Sequence, residues 1–397
     1  MISALTSGSF RKHLTEDLIP FWNKMTDMER GGFYGYADEC GIPDKNSPKG
    51  CILNSRILWF YSASYNLLKE PELLEKAKCA FEFLKDYFYD IRYRGVFWSV
   101  EADGTPLDTT KHTYNQSFAI YALSEYYKAC RDKAALSLAY SLYYVIEEKC
   151  RDKDGYFEAF DMEFNPVSNE KLSENGVIAT RTMNTLLHVL EAYSELYRAD
   201  HLEQVKDSLL EILSLFKSRV YNEERGICEV FFDKDYNSLI DLESYGHDIE
   251  ASWLIYRACE VLEDEKVTED MMPVIMGLAL SAYNNGIDRE NNAMNDECEK
   301  GIVNAKKVWW VQAESVTGFY NAYTLDSTKA EYLTMSNKVW EYINNYVMDK
   351  KTGEWVEDVN PDNTINKGQA LVHPWKCPYH NGRMCIEMIR RLEDQNH

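Results

Sequence analysis

The chain has 397 residues, with 43 Lys+Arg against 65 Asp+Glu and a formal net charge of −22. So acidic a balance excludes a basic nucleic-acid footprint and a basic membrane-surface helix and would repel polyanionic substrates, which leaves small neutral molecules as the expected ligands. Hydrophobic residues make up 45%, with 28 Tyr and 9 Trp, while Gly (19) and Pro (10) fall below the roughly 12% of average usage, arguing for helices over a turn-rich β fold.

The N-terminal stretch Met1–Arg11 lacks the apolar segment of an export signal, and no run of about 18 apolar residues follows. The ten cysteines contain no CxxC pair, so zinc ribbons and thioredoxin-like motifs are not expected. They are read as reduced core thiols of a cytoplasmic protein.

Further along, one signature recurs: a glycine beside aromatic or apolar alternation, often closing at an Asp/Asn turn. It appears at Gly32–Tyr36, Gly95–Gly104, Gly155–Asp161 and Gly226–Asp233, weakly at Gly286, and again at Gly353–Asp358. Six units of roughly 64 residues cover the chain, the mark of a repeat architecture. Each unit holds two helices. The segment 51–68 carries Ile52, Leu53, Ile57, Leu58, Trp59, Phe60 and Tyr61, apolar on nearly every face, as a helix buried all round requires. The segment 72–86 keeps Leu73, Ala77, Ala80, Phe81 and Leu84 on one stripe, as a surface helix does. Repeated six times, this predicts an all-α (α/α)6 barrel, a single domain over 1–397. Its inner helices fall near 51–68, 113–130, 176–199, 246–262, 307–324 and 379–394, with short β-hairpins between units.

The N-terminal turns of such inner helices converge at one end. The polar and aromatic residues there are Arg56, Tyr114, Asn184, His188, His247, Glu250, Trp310, Glu314, Trp375 and His380. Charged and imidazole groups are costly to bury without a purpose. Of the eight histidines, His13, His201 and His397 read as surface or terminal, and His112 and His373 fall in loops before inner helices. Three lie on or at the start of inner helices: His188, His247 and His380. Glu250, three residues after His247, is placed to orient it. A helix start near Pro378 would lower the His380 pKa and keep it a neutral base. Asp248, Glu250 and Glu314 offer carboxylates for a glycosidase pair. Two neutral imidazoles across a cavity suit a different chemistry: one removes a proton from carbon beside a carbonyl, and the other returns it to the opposite face. Arg56 and Tyr114 would steady the oxyanion of the enediolate. No nicotinamide, pyridoxal phosphate or metal is expected, because an open-chain aldose brings its own carbonyl.

The stretches Ile19–Lys24, Gly32–Tyr36, Ser55–Tyr61, Lys111–Asn115, Leu172–Gly176, Ser244–Glu250, Val308–Glu314 and Pro374–Arg383 together resemble the N-acylglucosamine 2-epimerase superfamily, over the whole chain. The resemblance implies the same barrel. It also implies C2 epimerisation of the reducing-end glucose of β-1,4-linked disaccharides, cellobiose to glucosyl-mannose and lactose to epilactose. By resemblance, His247 and His380 are the acid/base pair and Glu250 partners the first. Arg56, Tyr114, Asn184 and His188 are sugar contacts, as is Glu314, and Trp310 and Trp375 are platforms for the rings. Aldose–ketose isomerisation, N-acylglucosamine epimerisation, glycoside hydrolysis and protease inhibition are the competing readings. The protein is expected as a monomer or weak homodimer, with no nucleic-acid or membrane partner.

Overall fold

The structure, a computed structural model, describes residues 5–173 and 175–394. Glu174 of the Leu172–Gly176 stretch, His397 and the first four residues of the N-terminal segment lie outside the described residues. The first helix runs as α1 (Ser7–Lys12) and α2 (Ile19–Lys24), joined through the π-helical stretch His13–Leu18. It is followed by α3 (Cys51–Leu68), α4 (Pro71–Phe83), α5 (Thr113–Cys130), α6 (Lys133–Lys149), α7 (Met183–Asp200), α8 (Glu203–Leu215), α9 (Tyr245–Leu262), α10 (Glu265–Ser281), α11 (Trp309–Leu325), α12 (Ala330–Tyr342) and α13 (His380–Asp394).

These helices form the (α/α)6 barrel, with α3, α5, α7, α9, α11 and α13 as the inner ring. The burial pattern follows the residue pattern. In α3 every residue from Cys51 to Ser64 is buried, whereas α4 buries only Leu73, Ala77, Ala80, Phe81 and Phe83. The sharp turn from inner to outer helix uses a residue in the left-handed region: Lys69, Arg131, His201 and Glu263, with φ between 52° and 60°. The first helix closes the outer ring against α13 and α12. Arg11 reaches Glu393 at 2.9 Å, and the Leu5 N–H donates to Asn337 Oδ1 at 2.9 Å.

After each outer helix the chain makes a hairpin, then a short extended stretch that enters the next inner helix. In five of the six units that stretch carries a buried cation reaching back to an acid. The pairs are Lys49–Asp27 at 2.9 Å, Lys111–Asp90 at 2.7 Å, Arg181–Asp152 at 2.8 Å, Lys307–Asp288 at 3.1 Å and Lys376–Glu354 at 2.9 Å. The fourth unit has Glu243 at the equivalent place. Its stretch Leu242–Ser244 pairs with Glu297–Glu299, which Ile302–Asn304 extends into a three-stranded sheet. The entry stretches also pair with the unit that follows: Lys49–Gly50 with Ser99–Val100, Lys111–His112 with Ala159–Phe160, Arg181–Thr182 with Phe231–Phe232, and Lys307–Val308 with Asp358–Val359. Such pairings precede five of the six inner helices; before α13 the described residues show an isolated bridge between Val372 and Ala37.

Several expectations need correction. The third inner helix starts at Met183 instead of 176, because Arg181–Thr182 pairs with Phe231–Phe232 and the Thr182 side chain caps the helix through the Thr185 N–H. The fifth starts at Trp309 instead of 307 for the same reason. The weak repeat at Gly286 is a full hairpin, Ile287–Asp288 with Ala293–Met294. A Cβ at Gly286 would stand 2.4 Å from Met294 Sδ. His13, expected at the surface, is buried between Asp17 and Trp355, which donates to it at 2.8 Å. None of the ten cysteines is paired, and no helix among the described residues is long and apolar enough to cross a membrane.

Candidate active site

The N-terminal ends of the inner helices and the loops above them enclose a cavity of about 400 Å³. Nine of the ten singled-out residues line it: Arg56, Tyr114, Asn184, His188, His247, Glu250, Trp310, Trp375 and His380. The tenth, Glu314, does not contact the open space. It lies one layer deeper, beneath His380, where it cannot serve as the expected sugar contact.

Trp310, in the first turn of α11, stands between the His247 and His380 imidazoles. Its ring centroid is 4.8 Å from that of His247 and 5.4 Å from that of His380. His247 is half-buried on the first turn of α9, and its Nδ1 lies 2.7 Å from Ser244 Oγ. Glu250 was the expected partner of His247, but it points across the barrel axis to Arg383. The residue at i−3 therefore holds the ring, not the one at i+3. His380 opens α13 and is buried. Its Nδ1 lies 2.7 Å from Glu314 Oε1 and 4.0 Å from Glu250 Oε1. A carboxylate at Nδ1 keeps the proton there and leaves Nε2 as the free base. Burial pushes the His247 imidazole down to about 3. Burial, reinforced by the Arg383 and Arg56 charges, holds His380 well below its usual range. Both rings are neutral at neutral pH.

Under the cavity floor lies an ion network that the sequence reading missed. The Arg383 guanidinium, one turn after His380, donates to Glu191, Glu250 and Glu314 and to the Tyr379 hydroxyl. Trp253 Nε1 donates to the second Glu314 oxygen at 2.9 Å. Glu191 also takes His188 Nδ1 at 3.0 Å and the Tyr379 hydroxyl. Burial raises the Glu191 carboxyl, but Arg383 and His188 outweigh it and hold the group at about 2. Glu250 is pushed the other way, to about 7, by burial and by the neighbouring Glu314. Its Oε2 has no hydrogen-bond partner among the described residues, nor has Asn184 Oδ1. On the opposite wall Arg56 lies over the Phe118 and Tyr379 rings at 4.1 and 4.6 Å and donates to the Tyr114 hydroxyl at 2.9 Å. That oxygen accepts from Arg56, so its own proton is free to be donated into the cavity.

Asp248 takes no part. It faces the fourth hairpin and accepts the Cys228 N–H at 2.8 Å. Of the residues not predicted, Lys171, Leu172, Ser244, Asp296, Glu297, Val308, Trp309, Glu357 and His373 complete the lining. Ser244 and Leu172 sat inside stretches that drew attention. Asp296 and Glu297 come from the hairpin of Glu297–Glu299 with Ile302–Asn304, whose counterpart in the second unit is Ser99–Val100 with Pro106–Asp108. Close packing sets Trp310: a Cβ at Gly246 would lie 2.6 Å from Trp310 Cη2 and 2.7 Å from Val311 Cγ2. Gly246→Ala is therefore expected to cost about 1–3 kcal/mol and to push Trp310 onto the imidazoles. Thermal unfolding together with steady-state kinetics would show both losses, and unchanged kinetics would mean Trp310 has room to move.

The N-acylglucosamine 2-epimerase (GlcNAc 2-epimerase) family model matches residues 32–381. Cellobiose 2-epimerase of Eubacterium cellulosolvens is 48% identical, the match covering 96% of this chain and 97% of the relative. That of Ruminococcus albus is 49% identical, covering 98% and 99%. The crystal structure of a sugar epimerase from a ruminal bacterium superposes with a TM-score of 0.95 at 46% identity, covering 98% of this chain and 99% of that one.

Proposed function

The chain belongs to the N-acylglucosamine 2-epimerase family, and from that membership we propose that it epimerises C2 of the reducing-end glucose of β-1,4-linked disaccharides, cellobiose above all. The observation that carries this reading is the pair of neutral imidazoles, His247 and His380, flanking Trp310 on one cavity. In the open-chain sugar, the C1 aldehyde acidifies the C2 proton. One imidazole removes that proton and the electron pair moves onto the carbonyl, giving an enediolate. Arg56 and the Tyr114 hydroxyl proton meet the oxyanion. The other imidazole, charged from solvent, protonates C2 from the opposite face, and the first returns to its neutral form after losing its proton. Glu314 stabilises His380 while it carries a charge, and Ser244 holds the His247 ring. Glu250 Oε2, Asn184 and His188 take substrate hydroxyls, and Trp310 and Trp375 cover the C–H faces of the rings.

A glycosidase reading needs one carboxylic acid and one carboxylate on either side of a bond. Glu250 and Glu314 instead converge on a single guanidinium, and Asp248 points away. No cofactor is assigned, since the substrate carbonyl takes the electron pair. Glu250, Glu314 and His380 come close enough to hold a cation, but Arg383 already supplies the positive charge there. We place the protein in the cytoplasm as a single domain, a monomer or weak homodimer acting on a neutral disaccharide.

Cellobiose incubated with the purified protein and followed by proton NMR tests this. The expected product is glucosyl-mannose with no free glucose. Release of glucose would assign a hydrolase, and a ketose as sole product would assign an isomerase.

A further inference from the structure

The mouth of the cavity holds one histidine that the reaction above does not use. His373 belongs to a tight turn, in which the Lys376 N–H donates to the His373 carbonyl at 3.0 Å and the His373 N–H to the Lys376 carbonyl at 3.3 Å. Its ring is spanned on both sides. Nε2 lies 3.0 Å from Glu357 Oε1, and Nδ1 accepts the Trp375 N–H at 3.3 Å. An accepting Nδ1 requires the proton on Nε2, which then donates to the carboxylate, so the two bonds select one tautomer. Glu357 is itself anchored, because its carbonyl accepts the Trp309 N–H at 2.9 Å at the start of α11. The chain of contacts runs from the helix that carries Trp309 and Trp310, through Glu357 and His373, to the Trp375 backbone. Trp375 is 36% exposed and meets Trp98 and Tyr114 only edge-on, each with ring centroids 5.9 Å away. Among the described residues these are its only ring–ring contacts, so its position depends on its backbone.

The reacting sugar occupies the floor, against His247, His380 and Arg56. A second sugar ring must then lie at the mouth, on Trp375. Building on the epimerase reading, we infer that His373 is a positioning residue which sets Trp375, and through it the hold on the second sugar ring of the disaccharide. It touches neither C1 nor C2, so its effect falls on KM and not on kcat.

The variants separate its two bonds. The amide oxygen of His373→Asn stands where Nδ1 stood and still accepts the Trp375 N–H. His373→Gln reaches toward Glu357 but leaves that N–H without its acceptor, and His373→Ala removes both. For His373→Ala and His373→Gln, KM for cellobiose is expected to rise about tenfold, the scale of one lost aromatic contact, while His373→Asn stays near wild type. Because His373 acts through Trp375, His373→Ala/Trp375→Ala should be no worse than Trp375→Ala alone. Cellobiose affinity from tryptophan fluorescence would rank the variants independently of turnover, and thermal unfolding would show that each is folded. Multiplying effects in the double variant, an unchanged KM in His373→Ala, or a fall in kcat alone would overturn the inference. A wild type that binds cellobiose without epimerising it would overturn the reaction reading instead, with the affinity ranking still deciding the role of His373.

Discussion

His380→Ala and His247→Ala should each lower kcat for C2 epimerisation by about 10³–10⁴-fold, the upper range for loss of one general acid/base, with the fold retained. The size follows from geometry. Each imidazole serves one face of C2, and a fixed side chain cannot carry a proton across the sugar plane, so neither ring substitutes for the other. His380 is braced through Nδ1 by Glu314, and His247 through Nδ1 by Ser244. His380→Asn, which keeps a polar group but no base, should be as inactive as His380→Ala. Steady-state kinetics with circular dichroism on the same samples would test this. A His380→Ala protein with more than a tenth of wild-type activity would mean another base reaches C2.

The second large effect is on stability. Arg383→Met should destabilise the protein by about 3–5 kcal/mol, the cost of leaving a buried ion-pair partner uncompensated. Arg383 is about 1% exposed and is the cation that Glu191, Glu250 and Glu314 hold in common. Its loss leaves three acidic groups together in the core, and each regains neutrality only by taking up a proton. The pH dependence has a definite sign. Glu250 and Glu314 lie above the usual carboxyl range even beside Arg383; without it they rise further and Glu191 rises with them, so above the unfolded value near 4.3 the folded variant binds more protons than the folded wild type. The deficit relative to wild type should therefore grow from pH 5 to pH 8. Arg383→Lys should fall between the two, since an ammonium cannot reach three carboxylates in a plane. Urea unfolding at the two pH values would decide, and a pH-independent deficit would show that the loss is one of packing.

The barrel was legible because its signal is periodic: six hairpin glycines and an inner helix apolar all round are local features repeated across the chain. The site was legible as a set of residues, because helix N-termini converge in this architecture. Which residue serves which was not. Ser244 and Glu250 lie at equal spacing on either side of His247, and nothing local chooses between them. Arg383, 133 residues from Glu250, makes the choice by drawing that carboxylate away. The Trp355–His13 bond spans 342 residues, a closure of the ring that no neighbouring residue announces. The early start expected for α7 failed on a pairing with the next unit, again a contact distant in sequence.

Cellobiose turned over in D₂O tests the two-histidine enediolate chemistry most directly. Because one imidazole takes the C2 proton and a different, solvent-charged imidazole returns one, the glucosyl-mannose formed in the initial phase should carry deuterium at C2 in nearly every molecule, while unreacted cellobiose remains protiated. Product that keeps its C2 hydrogen throughout many turnovers would contradict it.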